Sequence, residues 1–167
     1  YGGVWLRPYQ AEAGAAVIGS ILRGDGETFV WKFARQGGKD ETLAALYQYV
    51  MMICSGLEAS IVTAAPTFRP QTVLAMRRLE DRLRANRALS DRYSHEAGHI
   101  FRVGRAATVF YSAEASANVV GATAWPLLVM NEAQDIRPEL YDKRFAPMAA
   151  ANHATRLFSG TAWTNDT

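Results

Sequence analysis

The sequence of 167 residues has one cysteine, Cys54, so no disulfide can form within the chain. It has no apolar run near the roughly 20 residues that a bilayer-spanning helix needs, and its N-terminus lacks the apolar core and cleavage pattern of a signal peptide. Its charges nearly balance, because 18 Lys and Arg face 16 Asp and Glu for a formal net charge of +2. These absences predict a cytoplasmic protein without a membrane partner, and the net charge says little about other partners.

Hydrophobic residues make up 49% of the chain and charged residues 20%, which is enough for one α/β core. Strand-like and helix-like segments alternate, so we expect a mostly parallel central sheet with helices on both faces. The predicted strands are 28–33, 59–65, 99–103, 107–112, 125–130 and 155–159, with 99–112 as a hairpin around Gly104. The predicted helices are 8–22, 41–53, 70–86 and 138–151.

A glycine-containing turn separates the buried strand predicted at 28–33 from the helix predicted at 41–53. Gly37 and Gly38 let the backbone approach a phosphate chain, and Lys39 adds a positive charge near the terminal phosphates. The usual pattern of such a loop has glycine six residues before the lysine and Ser or Thr after it, whereas here Phe33 and Asp40 occupy those places. By itself, Gly-Gly-Lys is more often an ordinary turn before a helix.

Residues 127–134 supply the second half of the predicted site. Four apolar residues followed by Asn131 and Glu132 are typical of a central parallel strand whose carboxyl end faces a phosphate loop. The first polar residue is usually an Asp that holds Mg²⁺ through water, and the Glu orients the attacking water and accepts its proton. The two stretches together predict a site that hydrolyses ATP.

Asp40 and Asn131 depart from the usual pattern in complementary ways. Asn131 lacks the charge expected at the strand end, and Asp40 brings a carboxylate where a neutral hydroxyl normally contacts the metal. We hypothesise that the carboxylate has moved to the helix start, so that Mg²⁺ still meets one anionic and one neutral oxygen. The alternative is a damaged site that binds nucleotide without hydrolysing it.

Five short segments, spread over most of the chain, together indicate a family. They are Arg7-Pro8-Tyr9-Gln10, Ala34-Arg35-Gln36 with Gly38-Lys39, Ala64-Ala65-Pro66-Thr67, Asn131-Glu132-Ala133-Gln134-Asp135 and Ser159-Gly160-Thr161-Ala162-Trp163. In this order they resemble the ATPase half of the large terminase subunits of tailed bacteriophages, which drive double-stranded DNA into an empty procapsid. The resemblance implies a P-loop NTPase fold (RecA/ASCE-like) that uses ATP and Mg²⁺.

The resemblance also implies a domain organisation and a set of partners. Residues 1–167 would form a single N-terminal ATPase domain, and the C-terminal nuclease domain would lie outside this chain. The implied partners are double-stranded DNA, other copies of the chain in a ring, the portal and the small terminase subunit.

Site residues follow from the resemblance by position. Gln10 would read the adenine edge, Arg35 would lie along the phosphates, and Ser159, Gly160 and Thr161 would couple the ATP state to DNA movement. A surface glutamine, a structural ion pair and a simple turn are the respective alternatives. Lys39, Arg35 and Glu132 are the expected catalytic residues, and Asp40 and Asn131 the expected metal ligands. The expected nucleotide-binding residues are Gln10, Arg35, Gln36, Gly37, Gly38, Lys39, Asp40 and Glu41.

The chain departs from the family at the arginine that one subunit offers to the next. The family often has an Arg-Gly pair shortly before the metal strand, whereas this chain has Asn118-Val119-Val120-Gly121. Arg102 and Arg105, on the predicted hairpin, are the remaining candidates for a trans arginine.

Other functions stay open. Residues 95–99, His-Glu-Ala-Gly-His, match a zinc-protease pattern, but Gly98 weakens the helix that this pattern requires and His99 begins a predicted strand, so we expect an exposed loop there. Asn131-Glu132-Ala133-Gln134 also resembles the Asp-Glu-Ala-Gln-type box of superfamily 2 helicases, which makes a first helicase motor domain an alternative. A nucleotide-dependent assembly module without catalysis is another.

Overall fold

The computed structural model describes residues 5–114 and 122–162. In chain order its helices are α1 (Pro8–Arg23), α2 (Lys39–Ile53), α3 (Val73–Ala85), α4 (Pro138–Leu140) and α5 (Ala146–Ala150). Its strands are β1 (Thr28–Phe33), β2 (Ser60–Ala65), β3 (Tyr93–Glu96), β4 (Ile100–Val103), β5 (Ala106–Ser112), β6 (Leu127–Asn131) and β7 (Thr155–Thr161). A turn at Phe68–Thr72, in which Arg69 has an extended backbone (φ -119°, ψ 129°), leads into α3, and a π-helical turn at Tyr141–Phe145 joins α4 to α5.

The strands form one sheet in the order β1-β7-β6-β2-β5-β4-β3. The first five strands in this order are mutually parallel, and β4 and β3 extend the sheet as an antiparallel ribbon. This confirms the predicted mostly parallel α/β fold and the hairpin around Gly104. The sequence analysis missed β3.

Helices cover both faces of the sheet, because buried strand residues alternate between two apolar clusters. Ile61 packs in the cluster that includes residues of α1, α2 and α3, whereas its neighbour Val62 packs in the cluster that contains Phe145 and Met148. Strand β6 is buried along its whole length and alternates in the same way. Strands buried on both faces read as continuous apolar runs, which explains why β2 and β6 were recognisable in the sequence.

The prediction of a buried strand at 28–33 is wrong in one respect. Strand β1 forms with the predicted bounds but lies at an edge of the described sheet, where it pairs with β7. Trp31 and Phe33 are buried, whereas Val30 is 76% exposed. An apolar run does not distinguish an edge strand from a central one, because that depends on which strands flank it.

Two further expectations concern membrane-spanning helices and the segment 118–121. Within residues 5–114 and 122–162, no helix has both the length and the apolar character needed to cross a bilayer. The segment 118–121, where the family often carries its arginine, lies outside the described residues.

Candidate active site

The parallel arrangement brings three separate segments to one edge of the sheet. Strand β6 ends at Asn131, between β2 and β7. Strand β7 ends at Thr161, which pairs with Phe33 at the end of β1. The loop from Ala34 to Gly38 follows β1 directly. The carboxyl edge of a parallel sheet is where such folds bind their ligands.

The loop at 34–38 has the backbone geometry of a tight turn that leads into a helix. The Gly37 N–H donates to the Ala34 carbonyl at 2.9 Å. Gln36 and Gly38 both have left-handed backbones, with φ of 59° and 78°. Gly38 is the N-cap of α2 and offers no side chain to the first N–H groups of that helix. Uncapped N–H groups at a helix start favour an anionic ligand.

Lys39 is buried at the start of α2, with 6% of its surface exposed. Its Nζ lies 2.8 Å from Asp40 Oδ1, 2.5 Å from Asn131 Oδ1 and 3.0 Å from Glu132 Oε1. The side chains of Asp40, Asn131 and Glu132 therefore surround the ammonium group of Lys39, and these four residues form a cluster. The two carboxylates outnumber the one ammonium, so the cluster attracts a further cation.

Asn131 is held in a single orientation at the end of β6. Its Oδ1 accepts hydrogen bonds from Lys39 Nζ, from Ser159 Oγ at 3.0 Å and from the Glu132 N–H at 3.1 Å. The side chain is buried. The amide oxygen is thus fixed before any ligand binds.

Glu132 has a left-handed backbone, with φ 53° and ψ 49°. Non-glycine residues adopt this conformation seldom, and such strain tends to occur at functional sites. The Glu132 Oε2 accepts from Gln134 Nε2 at 2.8 Å and from Thr161 Oγ1 at 3.5 Å. The backbone turn and these contacts direct the carboxylate towards Lys39.

The segment 159–161 contacts the end of β6 and the turn that follows it. Ser159 donates to Asn131, and Thr161 donates to Glu132. A Cβ on Gly160 would lie 2.5 Å from Gln134 Oε1, so glycine lets Gln134 approach β7. The residues predicted to couple ATP state to movement therefore lie against the two polar residues at the strand end.

The donor atoms suit a hard divalent cation. Asp40 Oδ1 and Asn131 Oδ1 both contact one ammonium group, and oxygen is the ligand atom that Mg²⁺ takes in proteins. No three His, Cys, Asp or Glu side chains come close enough to form a metal site among the described residues. An Mg²⁺ site here would therefore use the Asn131 amide.

Solved structures of phage proteins share this fold. The HK97 bacteriophage large terminase is 17% identical, with a TM-score of 0.74, over 98% of this chain and 34% of that chain. The Thermus phage P74-26 large terminase ATPase domain is 16% identical, with a TM-score of 0.71, over 95% of this chain and 66% of that chain. The chain has the fold of a large-terminase ATPase domain. No protein-family model and no curated protein matches the sequence.

A large terminase from a thermophilic bacteriophage, in complex with ADP, gives a third match to the terminase ATPase fold. It is 14% identical, with a TM-score of 0.65, over 93% of this chain and 39% of that chain. The chain thus spans 34% of the length of the HK97 protein and 39% of the length of the protein from the thermophilic bacteriophage.

Gln10, in α1, contacts the loop at 34–38. It is 6% exposed, and its Nε2 donates to the Gly37 carbonyl at 3.1 Å and the Gly38 carbonyl at 3.3 Å. The Gln10 amide nitrogen therefore contacts the loop backbone. The sequence analysis missed the neighbouring Tyr9, whose hydroxyl donates to the Gly37 carbonyl at 2.7 Å. Tyr9 stands next to Gln10 in the segment Arg7-Pro8-Tyr9-Gln10, and this position is the feature of the sequence that could have indicated its contact with the loop.

Three predicted nucleotide-binding residues lie around the cluster rather than in it. Arg35 and Gln36 are exposed on the loop. Glu41 faces α3, where its carboxylate pairs with Arg82 and, at 3.8 Å, with Arg78. Glu41 therefore has its cationic partners on another helix.

Both candidate trans arginines lie away from the cluster. Arg105 lies at the amino end of β5, whereas the cluster lies at the carboxyl ends of the parallel strands. Its backbone N–H donates a hydrogen bond to the Ser55 carbonyl, and its Nε lies 2.8 Å from Glu58 Oε1. Arg102 in β4 pairs with Glu96 at 3.3 Å. Both side chains are substantially exposed, as a group offered to another subunit would be.

The zinc-protease pattern does not form a helix. His95 and Glu96 lie in β3, and a turn at Ala97 and Gly98, both with positive φ, leads to His99. The His95 ring stacks on Phe101 with centroids 4.2 Å apart, and His99 Nδ1 lies 2.8 Å from the Ala97 carbonyl. Since the pattern requires two histidines on one helical face, the described geometry does not supply it.

Proposed function

We propose that this chain is the ATP-hydrolysing motor domain of a viral DNA-packaging terminase and couples Mg-ATP hydrolysis to movement of double-stranded DNA into a procapsid. The observation that carries the proposal is the meeting of Lys39, Asp40, Asn131 and Glu132 at one edge of a sheet with the terminase fold. Structures of a large terminase from a thermophilic phage with ADP and with ATP-gamma-S support a nucleotide as the ligand.

The phosphates of ATP bind at the start of α2. The N–H groups of Gly38 and Lys39 face them, and Lys39 exchanges its contacts with Asn131 and Glu132 for phosphate oxygens. Arg35 and Gln36 line the exposed side of the loop, where Arg35 contributes a second positive charge. Helix α1 contacts the loop through Tyr9 and Gln10.

Asp40 and Asn131 are the residues that would hold Mg²⁺, through their side-chain oxygens. These atoms lie 2.8 and 2.5 Å from Lys39 Nζ, so both already face a position that a cation occupies. When bound, the ion neutralises charge on the phosphate oxygens. A carboxylate and an amide together provide one anionic and one neutral oxygen, which is the exchange that the sequence suggested.

Glu132 acts as the general base. It orients a water whose oxygen bonds to the γ-phosphorus, the bond from that phosphorus to the β–γ bridging oxygen breaks, and Glu132 accepts the proton of the water. The contacts from Gln134 and Thr161 hold one carboxylate oxygen in place. Ser159, Gly160 and Thr161 then relay the state of the site into β7, because they contact Asn131, Gln134 and Glu132.

The domain works as part of a larger assembly. By the resemblance, it is the N-terminal ATPase domain of a longer protein that also carries a nuclease. We propose a ring of copies in the host cytoplasm that engages DNA, the portal and the small terminase subunit, with Arg102 or Arg105 offered to the neighbouring copy.

Mg²⁺-dependent phosphate release from ATP tests the proposal. The protein is assayed at high concentration, because a ring site needs its neighbour, and Lys39→Ala serves as the blank. Release above the blank is expected. Retained ATP binding without release, in rings as well as in monomers, would favour the assembly module, and absence of both binding and release would overturn the proposal.

A further inference from the structure

We propose that Arg82 holds the Glu41 carboxylate away from the phosphate-binding start of α2, so that Arg82 is a positioning residue for the nucleotide site. The inference rests on the proposed function, since the ligand concerned is the phosphate chain of ATP. It explains why an ion pair between α3 and the first turn of α2 lies beside the cluster around Lys39.

Glu41 is the third residue of α2, where a glutamate commonly contacts the start of its own helix. Helix α2 begins at Lys39 after the N-cap residue Gly38, so Glu41 occupies the position called N3. A glutamate at N3 can reach back and accept the N–H of the N-cap residue. Its charge is also attracted to the positive end of the helix dipole. A carboxylate that reaches back would therefore compete with phosphate for the same N–H groups.

The carboxylate of Glu41 is directed to another helix instead. Its Oε1 accepts a hydrogen bond from Arg82 Nη1, and its Oε2 lies 3.8 Å from Arg78 Nη1, both in α3. Both carboxylate oxygens are therefore turned towards α3. The N-cap Gly38 brings no side chain of its own, so the proposed function can assign its N–H to the phosphates.

Arg82 is fixed to α2 at two points. Its side chain, 10% exposed, pairs with Glu41 in the first turn, and its carbonyl accepts Gln48 Nε2 at 3.0 Å about two turns later. The Arg82 Nε is buried and has no hydrogen-bond partner in the described part of the chain. An unsatisfied buried nitrogen and a desolvated ion pair both cost stability. Stability therefore does not account for an arginine here, whereas the orientation of Glu41 does.

The inference predicts unequal effects from the two partners of one ion pair. Arg82→Met keeps an apolar stem and releases Glu41, so it should weaken Mg-ATP binding by roughly tenfold. Glu41→Ala removes the competing carboxylate and should leave the dissociation constant within about twofold of the wild-type value. The double variant should return to the wild-type value for the same reason. Calorimetry on the full chain measures all four proteins.

A purely structural ion pair makes a different prediction, because loss of either partner then loosens the same contact. Equal weakening of Mg-ATP binding by Arg82→Met and by Glu41→Ala would therefore overturn the inference. A double variant that binds as weakly as Arg82→Met would also overturn it.

Arg84→Met is the matched control. Arg84 lies on the same helix and pairs with Glu80 at 2.8 Å within α3. We expect this variant to bind Mg-ATP as the wild type does. If it weakens binding as much as Arg82→Met, the effect comes from the charge of α3 in general and the inference is overturned.

The Gly38 amide distinguishes a moved carboxylate from a lost positive charge. In glycine-selective ¹⁵N NMR spectra recorded without nucleotide, Arg82→Met should shift the Gly38 N–H proton downfield, because Glu41 then accepts it. The shift should disappear in the double variant. Weaker ATP binding with an unchanged Gly38 amide would overturn the inference.

Arg82→Lys keeps the inference testable if Arg82→Met fails to fold. It retains the charge and most of the stem, so we expect it to weaken Mg-ATP binding by less than about threefold. A larger loss that Glu41→Ala does not relieve would overturn the inference. All of these outcomes leave ATP binding by the wild type intact, whereas absence of ATP binding by the wild type would overturn the proposed function itself.

Discussion

Ser159 Oγ donates a 3.0 Å hydrogen bond to Asn131 Oδ1, within a fully buried contact between β7 and β6. The same oxygen accepts from Lys39. A change at Lys39 on nucleotide binding therefore reaches β7 through one intervening side chain.

Ser159→Ala should lower the rate of phosphate release more than it lowers ATP affinity. Loss of the hydroxyl frees Asn131 to rotate, and it costs about 1 kcal/mol of stability. Steady-state kinetics should give a reduced kcat with a KM changed by less than about threefold. Ser20→Ala is the control, because Ser20 is equally buried and hydrogen-bonded to Thr155 but remote from the cluster. An equal drop in kcat for both variants would contradict the prediction.

The exchange between Asp40 and Asn131 predicts a double-mutant rescue. Asp40→Ser removes the carboxylate next to Lys39, and Asn131→Asp adds a second one at the strand end. We expect each single variant to lower Mg²⁺-dependent phosphate release by roughly tenfold or more, and the double variant to recover most of the loss. The assay is a titration with Mg²⁺ at saturating ATP. If either single variant raises the rate, the two residues do not act as an exchanged pair.

Glu132→Gln should separate binding from hydrolysis. The amide keeps the size of the side chain but cannot accept a proton, so phosphate release should fall about 10²-fold or more while ATP still binds. Phosphate release and calorimetry on the same preparation check both parts. Glu139→Gln, on the short helix α4, is the control and should leave the rate unchanged. A Glu132→Gln variant that retains the wild-type rate would remove Glu132 as the base.

Two valines test the position of β1 at the sheet edge. Val129 is fully buried in β6, whereas Val30 is 76% exposed. Val129→Ala should lower the free energy of unfolding by about 2 kcal/mol, and Val30→Ala by less than about 0.5 kcal/mol. Urea denaturation of the two variants measures the difference. Equal losses would mean that the face of β1 carrying Val30 is covered in solution.

Arg105→Ala tests the trans arginine in assembled rings. Its ion pair with Glu58 is exposed, so removal should leave stability nearly unchanged. If Arg105 reaches a neighbouring site, phosphate release in the ring should fall while the slow rate of the monomer stays the same. Arg102→Ala is measured in parallel. A ring rate that neither variant changes would remove both arginines as candidates.

Local patterns predicted most of the fold. The buried strands β2 and β6 and the helices α1 to α3 carry their periodicity in short windows, and the hairpin around Gly104 formed as expected. Strand β3 was missed because its four residues are largely exposed and polar, and so lack an apolar pattern. The edge position of β1 was missed because sheet order depends on contacts between distant segments.

The sequence by itself determined the chemical groups of the candidate site and the elements that carry them. A glycine turn before a helix and a polar pair after an apolar strand both reach the carboxyl edge of a parallel sheet, so Lys39 and Glu132 were expected to meet. Only the tertiary structure decided the partners of Gln10 and Glu41. A side chain forms its hydrogen bonds with groups that packing brings near, and the packing of α1 on the loop or of α2 on α3 is not encoded in a local pattern.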